Sequence, residues 1–303
     1  MEKVCVLMST YNGEKYLKEQ LDSVLSQDGI LVDILIRDDG SNDGTISILD
    51  EYSCKYNNIH YYQGSNLGPA KSFLDLIVSV GEYKYYALCD QDDVWDKDKL
   101  ICAVRNLKKM NNKLPLLYYS NLRIVDEKLN FLRLSHKVPH IQVNKYSALV
   151  EYMMTGCTGV FNFVAKKMIS GRIPDYCSMH DAWIYTICKM FGDVHYDFMP
   201  HISYRQHGDN VIGAYNPYNI MTYISKIRRL CDKSLQPRYK DAINFYECFL
   251  DVMSPTDKEK VEKIIQYKKS FSYKLCLLMD KDLCAASRNR EIRNKFLILA
   301  ELL

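Results

Sequence analysis

Asp90, Asp92 and Asp93 fall within four residues, Asp90-Gln91-Asp92-Asp93, directly after the apolar run Tyr85–Cys89. Carboxylates this close repel one another unless a positive charge lies between them. A hard divalent ion, Mg2+ or Mn2+, is the natural partner, because it takes oxygen ligands and keeps positions open for phosphate oxygens. Asp92 is the expected ligand, with Asp93 as the alternative; Asp90 is expected to meet a ribose or a metal-bound water. The competing reading is a turn whose aspartates cap the next helix. Two more polar clusters follow apolar runs: Ser9-Thr10-Tyr11-Asn12 after Val4–Met8, and Arg37-Asp38-Asp39-Gly40-Ser41 after Ile34–Ile36. A carboxylate in the second, Asp39, is suited to accept the N3–H of a uracil or thymine, with Ser9 and Tyr11 flanking the base. Asp-Gly-Ser is equally good turn chemistry.

Stepping from these residues to the elements that hold them, each cluster ends a predicted strand. In an open α/β sheet, ligands bind in the crevice beyond the carboxyl ends of the strands. Three such ends therefore predict one shared site. The first hundred residues alternate strand and helix: strand Val4–Met8, helix 14–27 with Leu17, Leu21 and Val24 on one stripe, strand Asp33–Arg37, and a helix capped by Asp43. Strand Ile59–Tyr62, a helix starting at Pro69, strand Tyr83–Cys89 and helix Lys97–Met110 follow. This order predicts a right-handed, mostly parallel sheet. Beyond Leu116 we expect short strands at Leu116–Tyr119 and Arg123–Val125, a loop over Asn130–Asn144, a glycine-punctuated strand at Thr155–Phe161 and a helix from His180. Short strands over Tyr196–Tyr204 come next. From Asn219 on, only helices are expected, broken near Pro237 and Pro255, so we divide the chain into a domain of residues 1–218 and a helical extension of 219–303.

The chain has 303 residues, 48% hydrophobic and 25% charged, with net charge +3. That charge is too mild to argue for nucleic acid, and the 24 tyrosines mark no single platform. Residues 219–303 carry 17 Lys and Arg against 11 Asp and Glu. Such a basic tail suits an anionic membrane surface or an anionic acceptor, or is simply a set of solvated helices. The amphipathic segment Ile220–Arg229 with Lys226, Arg228 and Arg229 reads either as a helix lying on anionic lipid or as an ordinary packing helix. The 11 cysteines form no CxxC pair, which argues against a zinc ribbon or a disulfide scaffold and fits a reducing cytoplasm. Val4–Met8 is too short for a signal-peptide core, and no stretch reaches a spanning length. No G-x-G-x-x-G follows the first strand and no Walker motif occurs, which disfavours a nicotinamide dehydrogenase and a P-loop ATPase.

Several motifs together resemble a known family. Met8-Ser9-Thr10-Tyr11-Asn12-Gly13, Asp38-Asp39-Gly40-Ser41-Asn42-Asp43, Asn66-Leu67-Gly68 and Asp90-Gln91-Asp92-Asp93-Val94-Trp95 look like a family 2 glycosyltransferase of the GT-A fold. Thr155-Gly156-Cys157-Thr158-Gly159, His180-Asp181-Ala182-Trp183 and Tyr204-Arg205-Gln206-His207-Gly208 extend the likeness through about residue 215. The wording is similar to bacterial rhamnosyltransferase-like members that build surface polysaccharides. The resemblance implies a Rossmann-like, nucleotide-diphospho-sugar transferase domain and metal-dependent inverting transfer. The donor would be dTDP-rhamnose, or alternatively a UDP-hexose, and the acceptor a saccharide or lipid-linked saccharide at the inner face of the cell membrane. By the same resemblance Asp181 is the general base, although it also reads as the N-cap of the next helix. Arg205 is expected on the diphosphate and His207 on the metal, in a flap hinged at Gly208 and Gly213. For Lys71 and Lys99 a solvated helix face is favoured over a diphosphate contact. Trp95 and Trp183 are read as cleft wall or core, and Gly156 and Gly159 as either close-approach positions or a bulge. The rivals are a nucleotide-sugar-binding protein without turnover and a metal-dependent phosphotransferase.

Overall fold

β1 (Glu2–Thr10) runs between two parallel neighbours, β2 (Ile30–Asp38) and β4 (Tyr85–Cys89). These and all following elements come from a computed structural model, described over residues 1–137, 139, 144–207, 236–283, 285 and 288–303. Thr10 is level with Asp38 and Met8 with Cys89, so the three polar clusters leave the sheet at one edge. β3 (Ile59–Gln63) extends the parallel run beyond β2. The chain thus moves outward from β1 to β3, then crosses back to add β4 on the far side. In open α/β sheets such a reversal of strand order is where a ligand crevice lies, which here is beside β1.

Helices α1 (Leu17–Leu25), α2 (Thr45–Lys55), α3 (Pro69–Ser79) and α4 (Lys99–Leu107) occupy the predicted segments. α1 buries Leu17, Leu21 and Val24, spaced by four and three residues, in one cluster with Val6, Met8 and Cys89. Each such side chain contributes about 1.5–3 kcal/mol by leaving water. The cap of α2 is Gly44 and not Asp43; Asp43 instead accepts the Thr45 N–H at 3.0 Å and the Glu14 N–H at 3.1 Å, tying α2 to the loop after β1.

The expected parallel run holds over β1 to β4, and past β4, where the sequence pattern changes, the sheet is mixed. β8 (Val160–Asn162) lies antiparallel between β4 and β6 (Leu116–Val125), β9 (Asp193–Arg205) is parallel to β6, and β5 (Val94–Trp95) is antiparallel to β9. The two short strands expected at 116–125 are one strand whose pairing with β9 shifts near Asn121. The strand expected over 155–161 is a 3-10 turn, Gly156–Thr158, followed by β8. Inside the expected loop, β7 (Phe131–Leu134) pairs with β6. Phe131 and Leu132 stay exposed on it, so it lacks the buried, alternating face that marks a strand in sequence. α5 (Phe163–Ser170) and α6 (His180–Phe191) complete this part.

The described residues form two compact units. The first holds residues 1–139, 153–171 and 179–206; the second holds 140–152, 172–178 and 207–303. The second unit therefore draws on two earlier segments besides the C-terminal helices. The proposed boundary at 218, the hinges Gly208 and Gly213, and the segment Ile220–Arg229 lie outside the described residues. Within the second unit, α7 (Pro237–Phe249) and α8 (Pro255–Gln266) each begin at the proline expected to break a helix. Proline suits that first position, where its missing N–H has no intrahelical partner. Ser254 and Asp257 close a reciprocal capping box on α8. Lys260 is held between Asp280 and Asp282, each at 2.7 Å, which secures the turn after α9 (Phe271–Met279). α10 (Arg288–Leu299) follows. No described helix is long and apolar enough to cross a membrane.

Candidate active site

Side chains stitch the three strand ends into one floor. The Gln91 amide accepts the Tyr11 N–H at 2.8 Å and donates to the Tyr11 carbonyl at 3.0 Å, joining the end of β1 to the acidic loop after β4. Asn12 donates its N–H to Ser41 Oγ at 2.9 Å and accepts the Asn42 N–H at 2.8 Å, joining β1 to β2. Its φ of 49° lies in the left-handed region that asparagine tolerates. Tyr11 remains 45% exposed, and Asp90, Gln91 and Asp92 are partly open.

The β2 side departs from the sequence expectation. Asp39 is buried and its oxygens are taken: it accepts the N–H groups of Leu67 and Gly68 and pairs with Arg37. Asp38 likewise accepts from Thr10, Gly40 and Ser41. Buried and already accepting from three donors, Asp39 fixes the loop before α3 and does not lie open to read a nucleobase. Ser9 bonds Ser72 of α3 at 2.6 Å. Of the three residues expected around a base, only Tyr11 presents an open side chain. Arg37, buried and also bonded to Asp75 at 3.0 Å and the Ser65 carbonyl at 3.0 Å, organises this side. Its signal in sequence was a cation directly before the aspartates that close β2.

The acidic loop is asymmetric. Asp93 is fully buried; one oxygen accepts the Arg205 N–H at 3.0 Å, and the other has no hydrogen bond of good geometry and faces the Cys157 thiol. Burial, and then repulsion from Asp92 and Asp90, push its carboxyl far above the usual range. Enclosure raises Asp90 to about 7, with Asp92 and Asp181 adding repulsion. Three clustered carboxylates, two of them driven toward their neutral form, suit a hard divalent cation. Asp90 and Asp92 keep the exposure such an ion requires. Asp93 is sealed from solvent, yet one ligand atom each from Asp90, Asp93 and Cys157 lie within 4.8 Å of one another, so Asp93 stays beside Asp92 as a candidate ligand. Beneath the loop lies Lys99, which is buried and not on a solvated face as expected. Its Nζ sits 3.8 Å over the Trp95 ring with no hydrogen-bond partner, and burial lowers it to about 8. Lys71 is exposed on α3.

Arg205 is also placed differently. Its guanidinium is 3% exposed, donates to the Asp92 carbonyl at 2.9 Å and the Glu127 carbonyl at 2.5 Å, pairs with Glu19, and lies 4.5 Å over the Tyr16 ring. It holds the acidic loop from behind and has no edge left for a diphosphate. His207 falls in the second unit.

Asp181 sits in the first turn of α6, whose N-cap is Met179, so Asp181 is not the cap. It is buried, accepts the Ala182 N–H at 2.7 Å, and is near enough to Asp90 to raise that carboxyl. His180 stacks on Phe73 at 4.0 Å with neither ring nitrogen bonded, and burial lowers it to about 3, so it is neutral. Gly156 makes room for this pair: a Cβ there would come 2.7 Å from His180 Nε2. The glycine thus serves close approach of α6 to the turn before β8. Trp95 and Trp183 are both buried, as wall and core.

Residues 5–165 match the sequence family described as glycosyl transferase family 2. The dTDP-rhamnosyl transferase RfbG of Shigella flexneri is 31% identical over 226 residues, which cover 68% of this chain and 74% of that protein. An uncharacterized glycosyltransferase of Rickettsia felis is 27% identical over 161 residues, 51% of this chain and 26% of that longer protein. Among solved structures, S. aureus TarS 1-349 in complex with UDP-GlcNAc superposes with a TM-score of 0.59 at 16% identity, covering 99% of this chain and 82% of that one. The mannosyltransferase PcManGT of Pyrobaculum calidifontis, in complex with GDP-Man and Mn2+, gives 0.55 at 16% identity, covering 99% and 86%.

If Arg205 is the anchor of the acidic loop, Arg205→Met should lower stability by about 3 kcal/mol, the low end for breaking a buried pair because Glu19 is half-exposed. Chemical denaturation measures this. A surface phosphate ligand would instead leave the unfolding midpoint unchanged and alter only donor affinity.

Proposed function

Because this chain belongs to glycosyl transferase family 2 and adopts the GT-A fold, we propose that it transfers rhamnose from dTDP-rhamnose, with inversion, to a growing surface saccharide or lipid-linked acceptor. The observation that carries this reading is that Asp181 and the acidic loop border one crevice at the ends of β1, β2 and β4. Asp90 and Asp92 are the proposed holders of Mg2+ or Mn2+, which would take up the negative charge of the departing diphosphate. His207 is retained as a proposed third ligand. Tyr11 packs on the base, and Gln91 keeps the Tyr11 backbone aligned with the acidic loop. Asp181 removes the proton from the acceptor hydroxyl as it attacks the sugar from the face opposite the leaving group. The neutral His180 beside it adds no positive charge that would weaken it as a base.

The acceptor side is proposed to meet the inner face of an anionic membrane. α9 exposes Phe271, Leu275 and Met279 at a spacing of four, and α10 exposes Ile292, Phe296 and Leu299. Both helices lie in the basic C-terminal stretch, and an apolar stripe in a basic surround is what binds a lipid interface.

Three measurements test these readings. In a thermal-shift panel, dTDP-rhamnose with Mn2+ should stabilise the protein most, because stabilisation follows ligand concentration over Kd. A larger shift with a UDP-sugar would replace the donor. Asp181→Asn retains an oxygen for the Ala182 N–H, so it should melt within a few degrees of wild type and still bind donor. Its transfer rate should fall at least about 100-fold. Surviving activity above a few per cent removes Asp181 from the chemistry. The double variant Phe271→Asp, Phe296→Asp should stop co-sedimenting with phosphatidylglycerol vesicles while still glycosylating a soluble acceptor; unchanged sedimentation would show that this face does not touch lipid.

A further inference from the structure

We infer that Asp98, Cys102 and His201 form a second metal site, suited to a zinc-like ion and separate from the acidic loop. Asp98 is the residue at the N-cap of α4 and Cys102 lies one turn on, so both point from one helix face. His201 comes from β9 and is 8% exposed. Its Nδ1 is 3.0 Å from Asp98 Oδ1, and Cys102 Sγ is 3.7 Å from Asp98 Oδ2. One ligand atom from each residue lies within 4.8 Å of the others. In a tetrahedral zinc shell, neighbouring ligand atoms are about 3.3–3.8 Å apart, given the metal–nitrogen and metal–sulfur lengths. The three side chains therefore need to close by about an ångström or less.

The remainder of the imidazole is arranged as a ligand histidine requires. Its Nε2 is 3.5 Å from Asp197 Oδ2, and Asp197 is itself fixed by the Tyr118 hydroxyl at 2.9 Å and the Met199 N–H at 2.9 Å. A carboxylate behind the second nitrogen sets ring orientation and tautomer in metal sites. The donor set also discriminates. Thiolate and imidazole favour zinc-class ions, whereas the oxygen-only Asp90 and Asp92 favour Mg2+ or Mn2+. On binding, the Cys102 thiol proton leaves to solvent and the sulfur–metal bond forms; Asp98, half-exposed, leaves room for water as a fourth ligand. The consequence is mechanical. The His201 carbonyl accepts the Asp96 N–H at 3.1 Å, and Trp95 pairs with Ile202. An ion at this cluster would pin to β9 the segment that directly follows the acidic loop.

Zn2+ and Co2+ are the probes, used on the full chain with exposed Cys54 and Cys276 changed to serine. We expect one equivalent of Zn2+ held against a chromophoric chelator, and a thiolate-to-metal absorption with Co2+. Cys102→Ser should abolish that absorption and weaken Zn2+ at least tenfold without altering the melting temperature of the metal-free protein. Asp197→Asn, which leaves all three ligands in place, should weaken Zn2+ about 10- to 100-fold. The proposal is overturned if Cys102→Ser keeps the cobalt absorption, or if the parent binds Zn2+ no better than Cys102→Ser. The cluster would then be a His–Asp hydrogen-bonded pair only.

Discussion

The buried guanidinium of Arg205 is the constraint on which the acidic loop depends. Arg205 ends β9, far from the loop in sequence, yet it bonds the Asp92 carbonyl, the turn at Glu127 and Glu19 of α1, while its own N–H fixes Asp93. Three elements that share no local sequence are therefore held at one point. A lysine could not replace it, because a single ammonium lacks the planar fork that reaches several acceptors at once. The backbone of the loop is thereby held from behind at Asp92 and Asp93.

Much of the fold was legible because its first half obeys local rules. The apolar runs ending in Met8, Ile36 and Cys89 and the stripe Leu17, Leu21, Val24 are periodic signals that tertiary packing leaves intact. The second half was less legible. β7 carries exposed Phe131 and Leu132, and β5 has only two residues, so neither shows a strand's alternation. Of the site, the acidic loop and Asp181 fall at the strand ends and the helix turn that their motifs suggested. What sequence could not reveal is which polar groups are consumed internally. Asp39 and Arg205 are chemically capable of meeting a ligand, and only their distant partners, Leu67 and Gly68 for one and Glu19 and Glu127 for the other, show that both are engaged inside the fold. Cys157 was passed over and Lys99 read as a solvated helix face for the same reason: a cysteine between glycines and a lysine at a helix start look ordinary until burial places them near the carboxylates.

Lys99 shows how that buried charge is balanced. A lysine that is 1% exposed with no hydrogen-bond partner is costly, and its lowered value of about 8 records that cost. It persists because two interactions offset desolvation: the face of Trp95 at 3.8 Å and the field of Asp90 and Asp93 above it. In turn it favours the ionised form of Asp90. One ammonium cannot neutralise three carboxylates, however, and Arg205 spends its charge on Glu19. Asp93, sealed and pushed toward its neutral form, reduces the surplus further. Asp90 and Asp92, unlike Asp93, are only partly buried, and the repulsion of Asp92 and Asp181 still opposes ionisation of Asp90. A cation of the kind proposed for this loop would relieve that repulsion from the partly open side, where Asp90 and Asp92 lie.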